Sequence, residues 1–260
     1  MNNKVRNVLV GVCALAMGAV CAAPARAQMS DVKEKPRMYS YVAFWTIPRA
    51  QWADEQKQIM AEQKIMDAAV ANGSIVGYGS DQNLLHQPDG FTHDTWYSAM
   101  SMAGLLNTLD QVYKSGLTTS QVEIASTKHA DGIFVSRFYN WHAGSYKDVY
   151  GEVSYYHLKA DAPDNAVDSL STNLFVPLFE KLLADGTIHE YEIDTEALHT
   201  EAPGSFWLSY VAANAEALDK VNAAVREAQK GSPLGVSAFG SMVDFSQHRD
   251  YLSRANATYK

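Results

Sequence analysis

Two stretches decide the fold. Asn72–Met100 reads NGSIVGYGSDQNLLHQPDGFTHDTWYSAM, and Asp185–Val211 reads DGTIHEYEIDTEALHTEAPGSFWLSYV. Aligned, Gly73 falls on Gly186, Ile75 on Ile188, Tyr78 on Tyr191, Asp81 on Asp194, and Leu85-His86 on Leu198-His199. Past a loop two residues longer in the first stretch, Trp96 falls on Trp207 and Ser98 on Ser209. An ordered run of identities with one small gap marks an internal repeat.

Working outward, each copy presents the same series of elements. A strand-like run (Tyr39–Thr46, Gly151–Lys159) precedes an amphipathic helix (Ala50–Ala71, Pro163–Ala184). The first helix carries Trp52, Ile59, Ile65, Met66 and Ala69 at near-helical spacing. Pro177 lies within the second helical pattern and predicts a kink near Phe175. Asn72-Gly73 and Asp185-Gly186 stand where a helix C-cap belongs, because glycine adopts positive φ without steric cost. A hairpin follows: Ser74–Asp81 with Thr95–Met100, and Thr187–Asp194 with Ser205–Ala212. A second helix (about Met102–Lys114, Ala215–Lys230) leads to a last strand, expected at Ile133–Asn140 and Ser237–Phe245. Leu117–Lys128 has no counterpart in the second copy and reads as a short helix or loop.

This series is β-α-β-β-α-β, the ferredoxin-like unit. Used twice, it resembles the dimeric α+β-barrel superfamily, which includes small monooxygenases of antibiotic biosynthesis and, as single-chain duplications, chlorite dismutase-like haem proteins. The resemblance is one of topology and covers nearly the whole chain after its first segment. It implies an α+β fold of two tandem ferredoxin-like repeats forming a pseudo-dimeric barrel, with helices outside and a pocket within. The expected divisions are a signal peptide over 1–27, a flexible leader over 28–38, repeats over 39–143 and 149–246, and a tail over 247–260. Gly144–Val149 is expected to join the halves, and the tail to lie across the barrel.

The division at Ala27 rests on Lys4 and Arg6, the apolar run Val8–Val20, and Ala25-Arg26-Ala27. These are a positive start, a hydrophobic stretch too short for a membrane span, and a cleavage signal. Cleavage after Ala27 predicts a secreted or periplasmic protein with no integral membrane segment. Both cysteines, Cys13 and Cys21, fall inside that segment. The remaining chain therefore has no disulfide, thiolate ligand or cysteine nucleophile. It carries 18 basic and 29 acidic residues, a net charge of −11, which disfavours nucleic acid as a partner.

Candidate functional residues come in two sets. His86, His93 and Asp94 surround the first hairpin loop, and His199 and Glu201 begin the second. Imidazole and carboxylate suit first-row metals, and His86 and His199 occupy equivalent positions, but the spacing matches no metal motif and a hairpin-end hydrogen bond explains the pair equally. The second set follows from strand alternation. On Thr187–Asp194, His189, Tyr191 and Ile193 share one face, and Glu190, Glu192 and Asp194 the other. The more apolar set suits the helix side, so Glu190 and Glu192 are expected in the barrel or in solvent. Arg137 and His157 interrupt otherwise apolar strand faces. Turned inward, Arg137, His157 and Glu190 would form a polar pocket floor flanked by Trp96 and Trp207, able to bind a small-molecule ligand and to supply an acid, a base and an anion contact. The competing reading is an internal hydrogen-bond network. A haem barrel would need one well-placed histidine, and His142 and His248 are further positions for one. The chain has no G-x-S-x-G, P-loop, G-x-G-x-x-G or H-E-x-x-H pattern. Three functions stay open: a small-molecule binder, an oxygenase or haem-peroxidase type of enzyme, and a structural or interaction protein.

Overall fold

The computed structural model describes residues 35–86 and 90–260. The expected signal peptide, the leader up to residue 34, and residues 87–89 of the first hairpin loop lie outside the described residues.

Eight antiparallel strands close into a barrel. They are β1 (Met38–Thr46), β2 (Gly77–Asn83), β3 (His93–Ala99), β4 (Lys128–Trp141), β5 (Gly144–His157), β6 (Ile188–Glu196), β7 (Ser205–Ala212) and β8 (Arg249–Tyr259). Around the barrel the order is β1-β3-β2-β8-β5-β7-β6-β4. It divides into two groups of four, β4-β1-β3-β2 and β8-β5-β7-β6, each with its fourth strand on one edge and its second on the other. Closure comes from β2 pairing with β8 and β4 with β6. No strand of this barrel has a free edge.

The helices lie on the outer strand faces. α1 (Trp52–Asn72) and α2 (Met102–Ser115) cover the first group; the short α3 (Gln121–Ala125) follows a 3₁₀ turn. Met66 and Ala69 of α1, Leu105 and Val112 of α2, and Tyr41, Tyr78 and Tyr97 of the strands form one buried cluster. α4 (Ala166–Leu170) and α5 (Val176–Ala184) belong to the second group, followed by α6 (Ala215–Gly231) and α7 (Pro233–Met242). Phe179 of α5 lies 5.7 Å from the Tyr191 ring and 5.5 Å from Tyr210. Gly73 and Gly186 end their helices at φ 81° and 75°, as the left-handed cap requires. The interruption expected at Pro177 is a π-helical turn over Ser171–Phe175; proline removes a donor and crowds the preceding turn.

Three expectations are corrected. Ser237–Phe245 is no strand: Pro233–Met242 forms α7. The residues expected as a tail form β8, hydrogen-bonded between β2 and β5. In Arg249–Tyr259 the burial alternates from Ser253 onward, with small Ser253, Ala255 and Ala257 on the buried face, where an apolar-residue search finds little signal. Gly144–Val149 is no linker but the start of β5, which pairs from Gly144 onward with Tyr259 and its neighbours.

Candidate functional site

The barrel interior holds a cavity of about 640 Å³. Strand alternation decides what lines it. On β1, Ser40, Val42 and Phe44 face the cavity, while Tyr41 and Ala43 belong to the helix-side core. On β3 the cavity residues are Asp94, Trp96 and Ser98, with Tyr97 and Ala99 outside. On β6 they are Glu190, Glu192, Asp194 and Glu196. The apolar faces serve the helices, and the inner surface is a mixture of carboxyls, small hydroxyls and aromatic rings.

The carboxyls form two groups. Glu190, Glu192 and Asp194 are 3%, 7% and 8% exposed. Ser136 of β4 donates to Asp194 and, at 3.2 Å, to Glu192 Oε2. Ser40 approaches the same Oε2 at 3.5 Å and shares a 2.8 Å hydrogen bond with Ser98. Tyr259 of β8 is hydrogen-bonded to the Glu190 carboxyl, whose Oε1 is buried without a partner. Asp81 and Asp94 form the second group, opposite one another in the β2–β3 register. Asp81 accepts from Trp96 Nε1 at 3.1 Å and from Ser253 Oγ.

Burial in a low-dielectric interior disfavours a charged carboxylate. It pushes Asp81 and Asp194 up to about 6, although the Ser253, Trp96 and Ser136 hydrogen bonds pull back. Glu190 and Glu192 are raised well above the ordinary range by burial and then by their neighbouring carboxyls. Asp94 is raised by burial and by Asp81. No lysine or histidine lines the cavity among the described residues. Its one basic lining residue, Arg249, is exposed and donates to the backbone carbonyls of His248 and Ser246.

The aromatic walls are set by close approach. Trp96 lies over Gly79, where an added Cβ would stand 2.5 Å from the indole; glycine is required there. Trp96 also lies 5.6 Å from the Tyr259 ring. Across the barrel, Trp207 meets Phe134 edge-on at 4.9 Å and Tyr155 at 5.3 Å. At Gly151 a Cβ would meet Ser253 Oγ at 2.6 Å and Asp81 Oδ1 at 2.7 Å.

Of the residues singled out in the sequence, Asp94, Trp96, Glu190, Glu192, Glu201 and Trp207 line this one cavity. Arg137 does not. It sits at a bulge between Ser136 and Phe138 in the β4–β6 ladder, and its guanidinium pairs with Asp168 of α4 on the helix side. On β4 the even residues Phe134 and Ser136 face inward, so Arg137 turns outward, contrary to the expected parity. His157 is also absent from the lining: it ends β5 opposite Ser205, and both ring nitrogens are buried without a partner. His86 contacts Arg49 and the Trp52 ring, while His199 acts electrostatically on Glu196. The two do not share a site, and among the described residues no three histidine, cysteine or acidic side chains are grouped to hold a metal ion.

Asp81, Asp194, Ser136, Ser253 and Tyr259 are not singled out in the sequence, whereas Asp94 and Glu192 are, the first as a hairpin-loop residue and the second as facing the barrel or solvent. The match of Asp81 to Asp194 and the alternation of β6 carried a signal for the acids. Ser253 and Tyr259 carry none, because the stretch from Gln247 shows little apolar alternation of its own.

A barrel of eight antiparallel strands wrapped by helices around a polar cavity is the architecture of the dimeric α+β-barrel proteins, and solved structures agree. A candidate monooxygenase from Lactobacillus acidophilus superposes with a TM-score of 0.64 at 13% identity, covering 86% of this chain and 97% of its own. A candidate monooxygenase from Fusobacterium nucleatum gives 0.55 at 8%, covering 87% and 95%. A chlorite dismutase from Candidatus Nitrospira defluvii gives 0.48 at 12%, covering 88% and 94%. No family model and no curated protein matches the sequence.

A haem finds no fit here. None of the described cavity residues is histidine, and the acidic inner wall opposes haem propionates. His142 is exposed, and His248 packs on Tyr156 with Nδ1 2.8 Å from the Tyr155 carbonyl.

Proposed function

We propose that this is an exported protein whose barrel binds a small organic molecule, held between aromatic rings and a wall of carboxyl groups. The cavity carries the reading: about 640 Å³, within the range of small-molecule sites, with Trp96, Trp207 and Tyr259 on its walls and polar groups that converge from several strands. Export rests on the opening segment, Lys4 through Ala27. We further read the two strand groups as copies of one ferredoxin-like unit, supported by their identical internal order and by the matched stretches around Trp96 and Trp207.

Intrinsic tryptophan fluorescence tests the reading, because both tryptophans line the cavity. A saturable change on adding a small aromatic or amine panel, lost in Trp207→Ala while the far-ultraviolet circular dichroism is unchanged, is the expected result. No saturable response to any member of the panel overturns it.

An oxygenase-type enzyme is the second reading. It is favoured by the monooxygenase-like neighbours and by a carboxyl, Asp81, whose affinity for protons lies near the working range of a general base. Asp81 would take the proton of a hydroxyaromatic substrate; dioxygen, the co-substrate, would add to a ring carbon of the anion, one oxygen atom staying as a quinone carbonyl and the other leaving as water with two hydrogens from the substrate. Fold alone leaves such chemistry open. Oxygen uptake with hydroquinones, reduced about 100-fold in Asp81→Asn, supports it; no uptake removes it.

A further inference from the structure

We propose that the ligand of this cavity is a linear organic polycation, an oligoamine; this rests on the reading of the barrel as a small-molecule site. The first support is geometric. Glu190, Glu192, Asp194 and Glu196 lie at alternate positions on the inner face of one strand. Alternate residues of a strand are separated by about 7 Å, so the inner face carries a ladder of three acidic stations: Glu190, the Glu192 and Asp194 carboxyls converging on Ser136 Oγ, and Glu196, whose Oε1 accepts from Thr200 and Glu201. Ammonium groups joined by three- or four-carbon spacers repeat at a comparable interval along an extended chain.

The second support is an orphan. Glu190 lies at the buried end of the ladder, 3% exposed; Tyr259 is hydrogen-bonded to its carboxyl, but Oε1 has no partner. A buried acceptor without a donor is costly, and an ammonium donor is what it lacks. The cavity supplies no internal cation to neutralise the ladder: no lysine or histidine lines it among the described residues, and Arg249 is committed to backbone carbonyls. A single metal ion is a poorer occupant, because no three ligating side chains are grouped for one among the described residues. The faces of Trp96 and Trp207 suit both the methylene spacers and the cationic nitrogens. Asp131, Glu196 and Glu201, all lining the cavity and less buried than Glu190, add a negative field that draws cations inward.

Binding is then linked to protons. Asp81 faces Asp94 on β3 and Ser253 on β8; Asp194 faces Ser136 on β4, Glu192 on its own strand and Trp207 on β7. None of these neighbours is basic. Carboxyls that hold protons in the empty barrel must release them to an ammonium, so affinity rises with pH.

Isothermal titration with spermidine, butylamine and neutral hydroquinone, at about pH 5.5 and 7.5 in buffers of different ionisation enthalpy, tests the proposal. The expected result is spermidine binding at least tenfold tighter than butylamine, a further tenfold gain at the higher pH, and net proton release. Glu190→Gln, an isosteric change, should weaken spermidine at least tenfold. The exposed Glu201→Gln should slow association in a salt-dependent way. Hydroquinone binding without spermidine binding overturns the cation while leaving a small-molecule cavity. Silence from all three overturns both readings. Tight calcium or magnesium binding that excludes spermidine also overturns the proposal, in favour of a metal. Spermidine binding unaffected by both variants places it outside the barrel and rejects the site.

Discussion

Asp81 and Asp94 stand directly opposite one another across the β2–β3 ladder, two carboxyls on one inner wall. Directly opposed like charges destabilise a sheet, so at neutral pH the pair holds a proton or takes up a cation. Asp94→Asn should stabilise the empty protein by up to about 1 kcal/mol at pH 7.5 and have little effect at about pH 4.5, where both groups are protonated. Urea unfolding at the two pH values measures the difference. Equal effects at both would show that the pair is not electrostatically coupled.

Stability should fall as pH rises. Burial raises Asp81 and Asp194 to about 6 and Glu55, Glu62 and Glu123 to about 7, whereas unfolded carboxyls titrate near about 4. Between these values the folded chain binds more protons than the unfolded chain. The stabilisation is complete below the unfolded values and is lost as pH passes through 6 to 7. The melting temperature at about pH 8 should lie roughly 5 °C or more below that at about pH 5, and a saturating polycation should narrow the gap. A scanning calorimetry series that shows a flat or rising Tm over this interval contradicts the assigned burial.

Gly79→Ala inserts a Cβ 2.5 Å from the Trp96 indole and 2.7 Å from the Asn256 carbonyl. The backbone oxygen cannot yield as a flexible side chain would. Overpacking of this kind costs about 1–3 kcal/mol and should shift the tryptophan emission by displacing the ring from Asp81. An unchanged spectrum and stability would mean that the wall is more compliant than its contacts suggest.

A chain ending at His248 lacks β8. That strand pairs with β2 along Gly77–Asn83 and with β5 along Gly144–Tyr155, so its removal exposes two edges and opens the barrel. The truncated protein should be insoluble or should lose cooperative unfolding, as followed by circular dichroism during heating. Retention of a sharp transition would assign the residues to a dispensable tail after all.

Arg137→Ala should leave ligand binding unchanged, because the side chain pairs with Asp168 outside the barrel. Partly exposed ion pairs contribute about 1 kcal/mol or less, so the loss of stability should be of that order. A binding isotherm that changes as much as that of Glu190→Gln would return Arg137 to the site.

The sequence by itself determined the element series of the first group, the glycine caps at Gly73 and Gly186, the break before Pro177, and the placement of Trp96, Glu190 and Trp207 on strands. These follow from local physics: proline lacks a donor, glycine accepts positive φ, and alternation divides a strand into two faces. Tertiary structure decided which residues meet. Whether Arg137 or Ser136 faces inward depends on the register of β4 against β6, and a one-residue difference exchanges the faces. The last strand, Arg249–Tyr259, carries little apolar patterning of its own; pairing on both edges makes it a strand. The acid-lined interior arises only on closure, which brings Asp81 from one half and the β6 ladder from the other around one cavity and removes both from water.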